Sequence, residues 1–477
     1  MSQPASHQPN VPGQGIVASF STRFWTLVAG VGVASGLAAA TFFEVLKAIE
    51  HLFWTYDSGS FLDAVDAAAA QRHLIVLLAA GVTAAGAMLV LHRLRTSGGG
   101  EVSEALWLHD AHLPLASSLL RGLVSIVTVG MGASLGREGA PQLAGAAIAG
   151  RASERMGVPG WQRRLLVACG AGAGMAAIYN VPLGGALFAL EVLLGTVSLP
   201  LVLPALATTL FATVTAWIAV PNHPTYHAPA FTVSASLVAW SLFAGPLAGI
   251  AAGLWVRAIA RVNRLRPSGR SRFAAPVVVF TALGAVSIAY PQLLGNGLDI
   301  VQLSVLGKFS FGLLAVLLVL KPLATAACLG SGSPGGLFTP TLAFGVLFGA
   351  VLGHLWGLAW PGPASGSYAL IGGGAVLAAA MQGPLSAVVL MLELVGQASA
   401  LIVPLLIAIV AATVVSRLLR APSIYSARIS DDVEPVGEPV PRLDSEIPAV
   451  DQPSRSAKQR STTGSTRTRS IVVRGRD

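Results

Sequence analysis

Gly130-Met131-Gly132-Ala133-Ser134-Leu135-Gly136-Arg137-Glu138-Gly139-Ala140-Pro141 breaks the run between two apolar segments of a mostly apolar chain. Glu138 puts a carboxylate between glycines at that break. Inside a bilayer, irregular backbone survives only where protein or a water-filled cavity surrounds it. An ionisable side chain there is costly and marks a functional site by default. The stretch therefore points to an ion pathway.

The surrounding composition makes a membrane the setting. Of 477 residues, 54% are hydrophobic and 11% charged, with a mean hydropathy of +0.70. Soluble domains carry about 25% charged residues. Between Arg164 and Arg257 the one Asp, Glu, Lys or Arg is Glu191, and between Lys321 and Arg417 it is Glu393. Such stretches require several spans of about 20 residues each. The runs are continuous rather than alternating, which excludes a β-barrel. The expected class is an all-α polytopic membrane protein, with the lipid bilayer as its first partner.

Spans are expected near 24–49, 74–92, 199–219 and 233–256, with the second half repeating the style from about 273 to 420. Residues 98–200 hold short apolar pieces broken by Gly and Pro. Arg257, Arg261, Arg264, Arg266, Arg270 and Arg272 form a loop without an acid, whereas residues 221–231 lack Lys and Arg. The positive-inside rule places the Arg loop in the cytoplasm and the other loop on the far side. The net charge of +9 is thus topological and does not argue for nucleic acid. Cys169 and Cys328 lie in apolar segments and read as small buried hydrophobes.

The ends differ from the body. Residues 1–22 are polar and lack the pattern of a cleaved signal peptide. After residue 429 the chain is hydrophilic: acids dominate from Asp431 to Asp451, and Lys and Arg from Arg455 to Arg476. This is the composition of a disordered tail, too short and polar for a folded regulatory domain.

An internal repeat is the strongest organisational signal. Gly172-Ala173-Gly174-Met175-Ala176-Ala177 leads to Pro182-Leu183 and Glu191; Gly374-Ala375-Val376-Leu377-Ala378-Ala379 leads to Pro384-Leu385 and Glu393. Gly136 to Pro141 has its counterpart in Gly335 to Pro340. The division is 1–22, repeat one at 23–220, repeat two at 221–428 and the tail at 429–477. Paired interrupted segments locate the binding site of a repeat-built transporter. Parallel and inverted repeats both fit the sequence.

An anion in a membrane needs its hydration shell replaced. Helix N-termini and free backbone N–H groups do this without burying a full cation, and glycine lets the backbone approach the ion. Three Gly-rich entries qualify: Ser97 to Gly100, Gly136 to Gly139, and Gly332 to Phe338. None has the Gly-Lys-Ser/Thr of a phosphate loop, and neither a metal-spaced cluster nor a nucleophile elbow is present, so no enzyme chemistry, metal or cofactor is expected. Glu138 can occupy the place of the anion and leave when protonated, which makes it a gate and a proton-path candidate. A plain ion pair with Arg137 at a helix start is the structural alternative. Glu191 and Glu393 can equally be helix-end residues, Phe338 a packing aromatic and Tyr425 an interfacial tyrosine.

Together these motifs resemble the CLC family of chloride channels and chloride/proton antiporters over about 24–428. Gly136-Arg137-Glu138-Gly139 is similar to the family's GREGP stretch, and Gly336-Leu337-Phe338-Thr339-Pro340 to its GxFxP motif. Asn180-Val181-Pro182-Leu183 with Glu191 is similar to its NAPL helix, and Ser423-Ile424-Tyr425-Ser426 to the site of its anion-coordinating tyrosine. The resemblance implies an inverted two-fold repeat with broken and re-entrant helices, a homodimer with one pore per subunit, and a bacterial inner membrane with cytoplasmic termini. It implies Glu138 as the gating glutamate, and Gly99, Gly136, Arg137, Gly139, Leu337, Phe338 and Tyr425 as anion-binding positions. Glu138 and Glu191 are the proton-path candidates.

Three departures matter. Gly99 stands where the family places a serine ligand, Ala140 intrudes before Pro141, and Val192 holds the position of the antiporters' internal proton glutamate. The expected function is passive or weakly proton-coupled transport of chloride. Chloride/proton antiport through Glu191 or water, and export of fluoride or another anion, are the alternatives; a non-transporting scaffold fits the broken repeats poorly.

Overall fold

The computed structural model describes residues 20–55, 59–93, 101–360, 362, 365–396 and 398–429. Gly99, most of the polar N-terminal segment and the charged tail lie outside the described residues. The described chain is all-α. The first half holds α1 (Thr22–Trp54), α2 (Phe61–Asp66), α3 (Ala70–Arg93), α4 (Val102–Leu108), α5 (Leu115–Gly130), α6 (Gly139–Met156), α7 (Gly160–Tyr179), α8 (Pro182–Leu187) and α9 (Leu199–Ala216). The second holds α10 (Ala235–Arg264), α11 (Ser271–Ser287), α12 (Leu298–Val305), α13 (Phe311–Gly330), α14 (Phe338–Ala359), α15 (Ser365–Met381), α16 (Pro384–Val395) and α17 (Ile402–Leu418). Among the described residues seven helices are long and apolar enough to cross a membrane. Their outer faces carry exposed Leu203, Phe211, Leu242, Leu254 and Leu323, as lipid contact requires. The chain is a multi-pass membrane protein.

The halves match element by element. Ser21 opens α1 and Ser234 opens α10, each hydroxyl accepting from the amide three residues on at 3.2 Å, the ordinary serine N-cap. α1 packs on α9 as α10 packs on α17, and α6 on α7 as α14 on α15. Gly36 and Gly249 let these pairs touch: a Cβ at either would lie 2.4 Å from a carbonyl oxygen, of Ala212 and Ala412 respectively. Small residues are the usual means of close helix contact where burial from water offers no drive. The short helices α8 and α16 both start with proline, just after left-handed Asn180 and Gln382. A short π-turn, Phe188–Leu193, continues α8.

The symmetry is inverted. Gly136 and Gly336, from the matching motifs of the two repeats, form an antiparallel bridge, each amide donating to the other's carbonyl, at 2.7 and 2.9 Å. Such mutual pairing places a pseudo-two-fold axis between them. Hydropathy and motif order cannot encode that direction, because both readings bury the same faces.

One boundary differs from the sequence expectation. α10 runs to Arg264, so Arg257, Arg261 and Arg264 form its last turns, and the Arg-rich loop shrinks to residues 265–270. Arginine is a good helix former, and positive charge suits a helix C-terminus.

Candidate functional site

The Gly136–Gly336 bridge draws the N-termini of α6 and α14 together. Glu138 is the first residue before α6, but its side chain does not cap that helix. It crosses to the other repeat. Oε1 accepts from the Phe338 amide at 2.7 Å, while Oε2 accepts from the Tyr179 and Thr339 hydroxyls, each at 3.1 Å. Those hydroxyls are 2.5 Å apart. The carboxylate is 1% exposed, so these bonds replace its water. Only glycine fits beside it: a Cβ on Gly136 or Gly336 would stand 2.2 or 2.0 Å from Oε1.

Two cavities meet the protein at opposite ends of α10. One, of about 440 Å³, runs from Arg266 past Tyr425 to Glu138, Gly139, Gly336 and Leu337. The other, of about 430 Å³, lies beyond the start of α10 and includes Arg137, Thr225, His227, Glu50 and Asp299. A 30-residue helix is about 45 Å long, so the segments just before and just after it, which line the second and the first cavity, are set far apart. Neighbouring residues Glu138 and Arg137 thus line different cavities.

The expected anion-binding residues divide accordingly. Gly136, Gly139, Leu337 and Phe338 gather around the Glu138 carboxylate. Tyr425 lines the first cavity, its ring edge-on to Phe188 at 5.4 Å. Burial, then the charge of Glu138, pushes its phenol well above the usual range, so it stays a neutral hydroxyl. Arg137 stands apart, its guanidinium over the Tyr179 and Phe43 rings at 5.1 and 5.8 Å. Asp299 in the second cavity is raised by burial, against which the Leu62 amide works.

Glu191 borders neither cavity. Its Oε1 accepts from the Leu385 amide at 3.1 Å, and its Oε2 from the Ser386 amide and hydroxyl, each at 2.6 Å. Glu393 does the same for α8, accepting from Leu183 at 3.0 Å and Gly184 at 2.7 Å. Each repeat therefore caps a short helix of the other. Val192 is buried against Gly383, while Leu193 reaches the first cavity.

Sequence reasoning missed Tyr179, Thr339 and Gln142. Gln142 lines the first cavity with a buried amide nitrogen that has no partner. Tyr179 adjoins one quoted motif and Thr339 lies within another, but only the crossing of the halves shows that they face Glu138.

A family model described as voltage gated chloride channel matches residues 80–417. The chain belongs to this family. The Voltage-gated ClC-type chloride channel ClcB of Salmonella typhimurium is 32% identical over 409 residues, 83% of this chain and 96% of that protein. The protein of the same name from Escherichia coli O139:H28 is 32% identical over 411 residues, with the same coverage. Among solved structures, a slow cyanobacterial Cl−/H+ antiporter superposes with a TM-score of 0.75 at 22% identity, covering 86% of this chain and 97% of that one. A CLC-type fluoride/proton antiporter gives 0.69 at 20% identity, covering 85% and 98%. The CLC fold, with its inverted repeat, is shared with both, and anion transport is the activity of this CLC-family chain.

Proposed function

We propose that the chain moves chloride, or a similar small anion, between the two cavities past a gate formed by Glu138. The observation that carries this reading is the Glu138 carboxylate on the Phe338 amide, at the inner end of the first cavity. A helix start with an open N–H attracts an anion. There the carboxylate acts as the built-in competitor of the transported ion. Protonation removes its charge, weakens its hold on the amide and yields the position to chloride. Gly136, Gly139, Leu337 and Phe338 supply the backbone around the ion, and Tyr425 supplies a hydroxyl on the way. Arg137 acts from the second cavity as a fixed positive charge. Gly99, outside the described residues, keeps its place in the proposal.

We read transport as channel-like or weakly proton-coupled. Val192 offers no exchangeable proton, and both oxygens of Glu191 are committed to α16. Chloride is the substrate and no cofactor enters the scheme. A homodimer in a bacterial inner membrane, with the Arg-lined cavity and both termini cytoplasmic, completes the reading.

The test is a liposome assay that records anion efflux and proton uptake together. Chloride efflux with little proton movement is expected. Proton uptake driven uphill by a chloride gradient would establish antiport, and fluoride-selective efflux would replace the substrate.

A further inference from the structure

The first cavity is lined by four arginines. Arg121 of α5, Arg266 beyond α10, Arg272 of α11 and Arg428 beyond α17 all line it; the carboxylates among the described lining residues are Glu101 and Glu138. Arg428, its side chain 8% exposed, donates to Glu101 at 2.5 Å. Among the described residues no carboxylate lies within ion-pair distance of Arg121, Arg266 or Arg272. The Nε atoms of Arg272 and Arg428 are buried without a hydrogen-bond partner. Arg266 presents surface to solvent, yet its guanidinium is lowered to about 10, by desolvation at the cavity wall first, then by Arg428 and Arg121, with Glu101 opposing. Arg266, Arg428 and Arg121 repel one another across the cavity, which favours an anion of higher charge there.

A halide is a poor match for them. The guanidinium is a planar fork whose N–H groups suit paired oxygens, which is why arginine recurs at carboxylate and phosphate sites. Three parts of the sequence, at 121, 266–272 and 428, deliver the forks to one cavity. We propose that this mouth binds a phosphate-bearing anion of charge two or more, free or as a lipid headgroup, and that the bound anion slows chloride entry. The binding site stands on its own residues; the slowing rests on the transport path proposed above.

Binding is measured first, on the full-length purified protein in detergent, by calorimetric titration with inorganic pyrophosphate. One saturable site per chain is expected, weakened tenfold or more by Arg266→Ala and by Arg272→Ala. Arg151→Ala, on the exposed face of α6, should leave it unchanged. Thermal unfolding of each variant verifies that it is folded. Stabilisation by phosphatidic acid vesicles over phosphatidylcholine and phosphatidylglycerol vesicles, without pyrophosphate binding, identifies a doubly charged headgroup as the source and supports the site. Neither effect, or binding indifferent to both substitutions, overturns it. In liposomes, pyrophosphate on both faces should slow chloride efflux by the wild type and spare Arg266→Ala; equal efflux in its presence and absence overturns the slowing. If the wild type moves no chloride under any condition, the transport reading fails, while the titration still decides the site.

Discussion

Glu138 completes the first turn of a helix from the other half of the chain: its Oε1 lies 2.7 Å from the amide nitrogen of Phe338. Glu191 and Glu393 make the same kind of crossing, each onto a short helix of the opposite repeat. The three carboxylates share a geometry and differ in setting. Glu138 touches a cavity, and the other two hold the repeats together.

Glu138→Gln tests the gate. A hydrogen bond to a charged group contributes about 1.5–3 kcal/mol. Its weakening should raise anion flux at neutral pH by roughly tenfold or more, at about 1.4 kcal/mol per tenfold. Flux should also lose its dependence on pH, followed from about pH 4 to about pH 8. Efflux from liposomes across that range reads both; a retained pH profile removes Glu138 as the gate.

Gly136→Ala should act on the gate without unfolding the protein. The three nearest atoms to the new methyl all belong to the Glu138 carboxyl, at 2.2–2.5 Å, so a flexible side-chain end gives way. The expected outcome is a pH-independent flux with a melting temperature within a few degrees of wild type. Gly145→Ala is the contrast, because its methyl would stand 2.0 Å from the Gly170 carbonyl oxygen on α7. Overpacking against backbone costs about 1–3 kcal/mol, so this variant should melt earlier or express poorly.

Glu191→Gln separates a cap from a proton carrier. A lost N-cap contact costs about 0.5–2 kcal/mol. The variant should unfold at lower denaturant or temperature and keep the wild-type ratio of proton to anion movement. A changed ratio would make Glu191 part of a proton path.

Asp299→Asn should flatten the stability profile on the acid side. Burial raises this carboxyl in the folded protein. The native state then holds its proton to a higher pH than the unfolded chain does. The associated stability is full below the unfolded value, about 3.9, and is lost as pH rises through the folded one. Thermal unfolding from about pH 3 upward should show this loss in the wild type and not in the variant.

Hydropathy located the long helices closely, because α1, α3, α9 and α10 must be apolar wherever they meet lipid. Glu138 was legible for the complementary reason: a charge in such a setting stands out. Tyr179, Thr339 and Gln142 gave no signal, since a Tyr, Thr or Gln beside an apolar helix is commonplace. Arg266 and Arg272 were read for topology alone. Their convergence with Arg121 and Arg428 joins positions far apart in sequence.

By itself the sequence determined the membrane setting, the repeat, the family resemblance and the position of the buried carboxylate. Each of these depends on local composition or on residues within a few positions of one another. Tertiary structure alone decided that Glu138 reaches Phe338, that Arg137 faces the other cavity, and that Glu191 is tied to α16. Those outcomes depend on which helix N-termini meet across the pseudo-two-fold axis, and a free N–H at a helix start donates to whichever carboxylate the packing brings to it.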